Sequence, residues 1–164
     1  DSDPSRGLGD VYKRQVIIYH SKTGNTRAMI NAVIDGAKDP QLNDVDVHVL
    51  TAAEAQPEDL LSADGLILGT PENFGYMSGA LKDFFDRSFY EVEGRLPPLP
   101  YATVINAGND GSGAIRSIER IANGYPLVQV QEAIIGHGPP DQETLDRCKE
   151  LGGALAAGLE LGVY

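Results

Sequence analysis

Apolar residues recur along this chain at two spacings, one suited to strands and one to helices. Val16–Tyr19 is a short, mostly β-branched run that stops at a Ser/Thr/Gly cluster, as a strand buried on both faces does where it meets a loop. From about Thr26, apolar side chains return at Ile30, Val33, Ile34 and Ala37, which is helical spacing, and Asp39-Pro40 closes that helix. Val45, Val47 and Val49 alternate with Asp46 and His48, which predicts a strand with one better-covered face at a sheet edge. Pro57-Glu58-Asp59 opens a short helix, with proline and acids where a first turn tolerates them. Gly65–Gly69 predicts another buried strand, and Ser78 can cap a helix striped by Leu81, Phe84, Phe85 and Phe89. Tyr101–Ala107 is a third buried strand. Ile115, Ile118 and Ile121 mark a helix ended by Asn123-Gly124, Leu127–Ile135 reads as a strand, and Asp141–Leu161 as a long final helix.

Strands that alternate with helices make parallel pairs with right-handed crossovers and helices on both faces. The expected fold is therefore α/β, a three-layer α-β-α sandwich around a five-stranded parallel sheet of order 2-1-3-4-5. In such a sheet the ligand lies beyond the carboxyl ends of the strands, where the strand order reverses. The first fifteen residues stand apart. Ser5–Gln15 lacks periodicity and resembles the in-frame translation of a transposase-based sequencing adaptor, so residues 1–15 are read as a non-native leader and 16–164 as the domain.

The loops after the first, third and fourth strands should build one site. The first, Ser21-Lys22-Thr23-Gly24-Asn25-Thr26, offers hydroxyls, a side-chain amide and backbone N–H groups at a helix N-terminus, which suits a phosphate. It lacks both G-x-x-x-x-G-K-[ST] and G-x-G-x-x-G. The residues alone also fit a polar turn with a capping threonine. S-x-T-G-N-T after the first strand resembles the phosphate loop of the flavodoxin superfamily, which binds FMN. That likeness implies phosphate contacts from Ser21, Lys22, Thr23, Gly24, Asn25 and Thr26.

The second loop runs from Gly69 through Pro71, Glu72, Asn73, Phe74, Gly75 and Tyr76 to Gly79 and continues into Ala80–Asp86. Long loops between buried elements are usually functional. Its apolar Phe74, Tyr76 and Met77 ask for something flat to cover, and a flavin ring meets that need. The stretch is similar to the G-[TS]-P-x-[FY]-x…G-x-[LM]-K-x-F-x-D segment of NAD(P)H-dependent FMN reductases and tryptophan-repressor-binding-protein-like quinone reductases. Pro71, Glu72, Asn73, Phe74, Gly75 and Tyr76 are the ring-binding residues this implies, with Glu72 able to tune the flavin potential. The third loop, Asn106–Gly113, brings Ala107, Gly108, Asn109, Asp110 and Gly113 towards a planar ligand, with Asn109 or Asp110 able to reach a pyrimidine edge. It reads equally as a glycine-rich turn. It also lacks the histidine that those quinone reductases often carry there.

The resemblance spans Val16 to Tyr164 and implies an FMN oxidoreductase that takes electrons from NAD(P)H and passes them to quinones, flavin or other small acceptors. The flavin N5 would do the chemistry, so no side chain is singled out as catalytic. The rival is an electron carrier of the flavodoxin type that serves a redox partner protein without NAD(P)H turnover of its own. A response-regulator receiver shares the topology but needs acids where this chain has Ser21 and Thr70.

Composition narrows the classes further. A net charge of −11 argues against a nucleic-acid partner and suits steering towards basic proteins. No apolar run is long enough for a membrane span, so no membrane is expected. The single cysteine, Cys148, excludes an internal disulfide and falls on the apolar stripe of the last helix. The three histidines (His20, His48 and His137) have no metal-ligand spacing, and no metal is expected. His20 should pack near the first loop, His48 should face solvent, and His137 is a candidate for the mouth of the pocket. A cytoplasmic location fits, and relatives of this kind are often homodimers or homotetramers.

Overall fold

The computed structural model describes residues 12–164. Its elements are β1 (Lys13–Tyr19), α1 (Asn25–Ala37), β2 (Val45–Thr51), α2 (Pro57–Leu61), β3 (Gly65–Asn73), β4 (Tyr76–Met77), α3 (Gly79–Val92), β5 (Leu99–Ala107), α4 (Ser112–Gly124), β6 (Leu127–Gln129), β7 (Ile134–His137) and α5 (Gln142–Glu160). The sheet order is β2-β1-β3-β5-β6, with β7 also on β5 and β4 on β3. All pairs are parallel except β3–β4. This is the expected doubly wound sandwich, with β2 at the predicted edge.

Period-two alternation sends successive side chains of each strand into different layers. Val16 and Ile18 of β1 and Leu66 and Leu68 of β3 join Leu60, Leu81, Phe84, Phe85 and Ile118 from α2, α3 and α4. Ile17, Tyr19, Ile67 and Val104 meet Met29, Ile30 and Val33 of α1 and Cys148, Leu151 and Leu155 of α5 on the other face. There α1 and α5 touch backbone to backbone. A Cβ on Gly152 would lie 2.0 Å from the Val33 carbonyl oxygen, and one on Gly36 would lie 1.9 Å from that of Lys149. Only glycine permits that approach.

Three local readings change. First, β1 starts at Lys13 rather than Val16, because Lys13, Arg14 and Gln15 pair with Val45, Asp46 and Val47 of β2. The leader reading thus runs into a strand at Lys13–Gln15, while residues 1–11 lie outside the described residues. Gln15 is wholly buried, and neither its amide oxygen nor its nitrogen has a partner among the described residues. Second, the Leu127–Ile135 strand is interrupted. β6 pairs with the start of β5 and β7 with its end, and the polar Gln131-Glu132 segment between them leaves the ladder. Third, His48 is half-buried, with its Nε2 3.0 Å from Arg14 Nη1, instead of facing solvent. No helix among the described residues is long and apolar enough to cross a membrane.

Candidate functional site

Register brings the three loops together. Tyr19 pairs with Gly69, Pro71 with Asn106, and Ala107 with His137, so the loops after β1, β3, β5 and β7 open along one carboxyl edge.

The first loop runs from His20 to the start of α1. Gly24 is left-handed (φ 99°) and stands at the N-cap without a side-chain cap. Ser21 Oγ instead accepts from the Arg27 N–H at 3.1 Å. The backbone N–H groups of Lys22 to Thr26 make no hydrogen bond among the described residues, and no acid occupies the first turn of α1. Orphan donors and the positive end of a helix dipole therefore sit together in this loop, which suits a phosphate. Thr23 is exposed and Asn25 half-buried, while Thr26 is buried in the first turn.

Arg27, which the sequence reading passed over, stacks on the Tyr19 ring at 5.2 Å, donates to its hydroxyl, and bonds Asn31 Oδ1 at 2.9 Å. Residues of this loop line a groove of about 300 Å³ closed on its far side by Thr51, Ala52 and Ala80. His20 lines the same groove, as expected. Its backbone N–H bonds the Gly69 carbonyl at 3.0 Å, and its Nδ1 is buried without a partner among the described residues.

The second loop is largely a hairpin. β3 continues through Asn73, and β4 folds back so that Glu72 pairs with Met77 and Asn73 with Tyr76. Phe74 (φ 53°) and Gly75 (φ 68°) are both left-handed, the signature of a type I′ turn. Such backbone is rare for an aromatic residue and costs of order 1–3 kcal/mol. The Phe74 side chain is fully exposed at 107%.

The base of the hairpin is fixed to α4 and α3. Thr70 Oγ1 accepts from the Ser78 N–H at 2.9 Å and donates to the Pro71 carbonyl at 2.8 Å. Ser78 Oγ in turn caps α3 at Leu81, as predicted. The Met77 N–H donates to Ser117 Oγ at 3.1 Å, and the Glu72 carboxylate accepts the Ala114 N–H in the first turn of α4 at 3.0 Å. A Cβ on Gly113 would stand 2.1 Å from the Gly75 carbonyl oxygen.

The third loop exposes Gly108, Asn109 and Asp110, and Ala107 is buried at its root. Asp110 is engaged locally. Its carboxylate accepts from the Ser112 N–H at 3.0 Å and from the Ser112 hydroxyl at 2.8 Å, which holds its carboxyl below the usual carboxylate range. That leaves Asn109 as the freer of the two for a ligand edge. Next door, His137 Nδ1 lies 3.1 Å from the Ala107 carbonyl, and Asn106 Nδ2 donates to the Gly138 carbonyl at 2.8 Å.

A parallel sheet of this order, with uncommitted N–H groups after its first strand and two further loops opening beside them, has the layout of a flavodoxin-like flavoprotein. The family model "NADPH-dependent FMN reductase" matches residues 16–123, and the chain belongs to that family. FMN and NAD(P)H are accordingly its cofactors, and the uncommitted N–H groups of residues 22–26 fit the FMN phosphate. Among curated relatives, a flavodoxin of Aquifex aeolicus is 29% identical over 157 residues, covering 86% of this chain and 84% of the relative. An NAD(P)H dehydrogenase (quinone) of Acidithiobacillus ferrooxidans is 36% identical over 93 residues, covering 46% of each chain. Among solved structures, an archaeal flavodoxin superposes with a TM-score of 0.75 at 23% identity, covering 90% of this chain and 99% of its own. A flavodoxin-like, WrbA-like protein of Agrobacterium tumefaciens gives 0.70 at 20% identity, covering 88% and 96%.

Proposed function

We propose that this flavoprotein oxidoreductase takes electrons from NAD(P)H and delivers them through FMN to a quinone, free flavin or another small electrophile. The observation that carries the reading is the third loop. Gly108, Asn109 and Asp110 are exposed and carry no aromatic ring, so one side of the planar ligand is left accessible to a small reactant. A carrier that only meets proteins tends to shield its ring with aromatics from two loops.

In this reading the residues of the first loop bind. The N–H groups of residues 22–26 and the hydroxyls of Ser21, Thr23 and Thr26 hold the phosphate. Pro71 to Tyr76 flank the ring, with Glu72 and Ser117 fixing the hairpin that carries them. Bound FMN supplies hydride acceptance and onward electron transfer. The chain's part is to position that chemistry and keep it open on one side. The protein works in the cytoplasm, as a homodimer or homotetramer.

The likeness to a flavodoxin over 86% of the chain favours a second reading, an electron carrier. An anaerobic titration of the purified yellow protein with NADPH, followed by steady-state turnover with a soluble quinone, separates the two. Rapid bleaching and turnover are expected. Bound FMN without either would make the protein a carrier.

A further inference from the structure

Behind the hairpin lies a groove of about 520 Å³ whose walls are Gly75 and Tyr76 on one side and the outer face of α4 on the other. Arg116 and Arg120 stand four residues apart on that face, and both are exposed. Four arginines are engaged: Arg14 with His48 and Asp59, Arg27 with Tyr19 and Asn31, Arg87 with Asp83, and Arg95 with the Glu91 carbonyl. Arg116 and Arg120 make no hydrogen bond or ion pair among the described residues.

Like charges one turn apart on a helix repel each other. Glu119 is exposed in the same groove, so the groove holds two cations against one acid, and Asp110, held by Ser112, acts on Arg116 from further off. In a chain of net charge −11 this is a local excess of cation facing an open groove. Guanidinium forks match phosphate oxygens in pairs, which makes two adjacent arginines a phosphate reader.

The groove shares Gly75 and Tyr76 with the hairpin that flanks the flavin, so a donor lying against the ring can continue over the hairpin onto α4. We propose that Arg116 and Arg120 bind a phosphate of the pyridine dinucleotide donor and so set the affinity for it. This rests on the reading of the protein as an NAD(P)H oxidoreductase.

The test uses FMN-loaded protein and the double variant R116A/R120A. Steady-state rates are measured with NADPH and NADH, and calorimetry follows NADP⁺ and NAD⁺ without turnover. The variant should retain its FMN, while KM for the donor and Kd for the oxidised dinucleotide rise about tenfold or more. A rise confined to the 2′-phosphorylated forms identifies the 2′-phosphate as the group read, and an equal rise for both forms identifies the pyrophosphate. Unchanged KM and Kd for both forms in a variant that still holds FMN overturns the proposal. If the wild-type protein oxidises neither donor, the oxidoreductase reading fails by itself. The groove is then judged by calorimetry alone, where dinucleotide binding that the variant loses supports it and absence of binding overturns it.

Discussion

Gln15→Met should make this protein more stable, although it touches no part of the candidate site. Gln15 sits in β1 between Val47 and Gly65 and shares the sheet face of Ile17 and Tyr19. Its side chain is 0% exposed, and both amide atoms lack partners among the described residues. Among those residues, folding strips water from a carboxamide and supplies no replacement bond. An unpaired buried polar group costs about 1–3 kcal/mol. Methionine has nearly the same length and volume, so the substitution removes that cost without a cavity or overpacking, which would otherwise take back a comparable amount. The expected gain is about 1–3 kcal/mol, which at a typical urea slope raises the unfolding midpoint by roughly 1 M. Urea unfolding should be followed by far-ultraviolet circular dichroism with FMN fixed in excess, because bound flavin adds its own stabilisation. An unchanged or lower midpoint at equal slope would refute the account of Gln15 as an orphaned amide.

Three further outcomes follow from the site and the core. Thr23→Glu places a carboxylate on an exposed position beside the orphan N–H groups, and its repulsion of a phosphate should weaken FMN by roughly 100-fold; a variant that purifies yellow would count against the phosphate loop. Glu72→Gln keeps the shape of the strut to Ala114 but removes its charge, so the flavin midpoint potential should rise in spectroelectrochemistry and stability should fall by about 1 kcal/mol, and an unmoved potential would separate Glu72 from the ring. Burial pushes the Cys148 thiol from 9.0 up to about 11. The unfolded chain therefore loses that proton first, stability falls as pH rises through that interval, and the native thiol should resist an aromatic disulfide reagent at pH 8; fast labelling there would show that the α1–α5 layer opens readily.

Where side chains alternate or recur with a helix period, the chain was readable. Ile17 and Ile18 fall on opposite faces, Leu81, Phe84 and Phe85 face the core, and Ser78 caps α3 as its position implies. The start of β1 was not readable, because Lys13 to Gln15 join the ladder through backbone groups that are indifferent to side-chain polarity. The hairpin was hidden for a related reason. Its turn carries Phe74 where a type I′ pair normally begins with asparagine or aspartate, so the usual turn signal is missing. The three loops declared themselves by composition, but the struts between them did not. Ser117 looks like any polar residue on an amphipathic helix, and nothing local shows that its hydroxyl meets Met77, 40 positions away. The contact of α1 with α5 through Gly36 and Gly152 was equally silent, since a glycine in a helix signals a close approach only once its neighbour is known.

The hairpin separates two jobs along a few residues. Its anchors, Thr70, Glu72, Met77 and Ser78, are inside the molecule or tied to α4, whereas Asn73, Phe74 and Tyr76 project from the tip into solvent. Substitutions at Asn73 and Tyr76 should therefore leave the scaffold beneath as it is, whereas position 74 must also tolerate a left-handed backbone that few side chains accept.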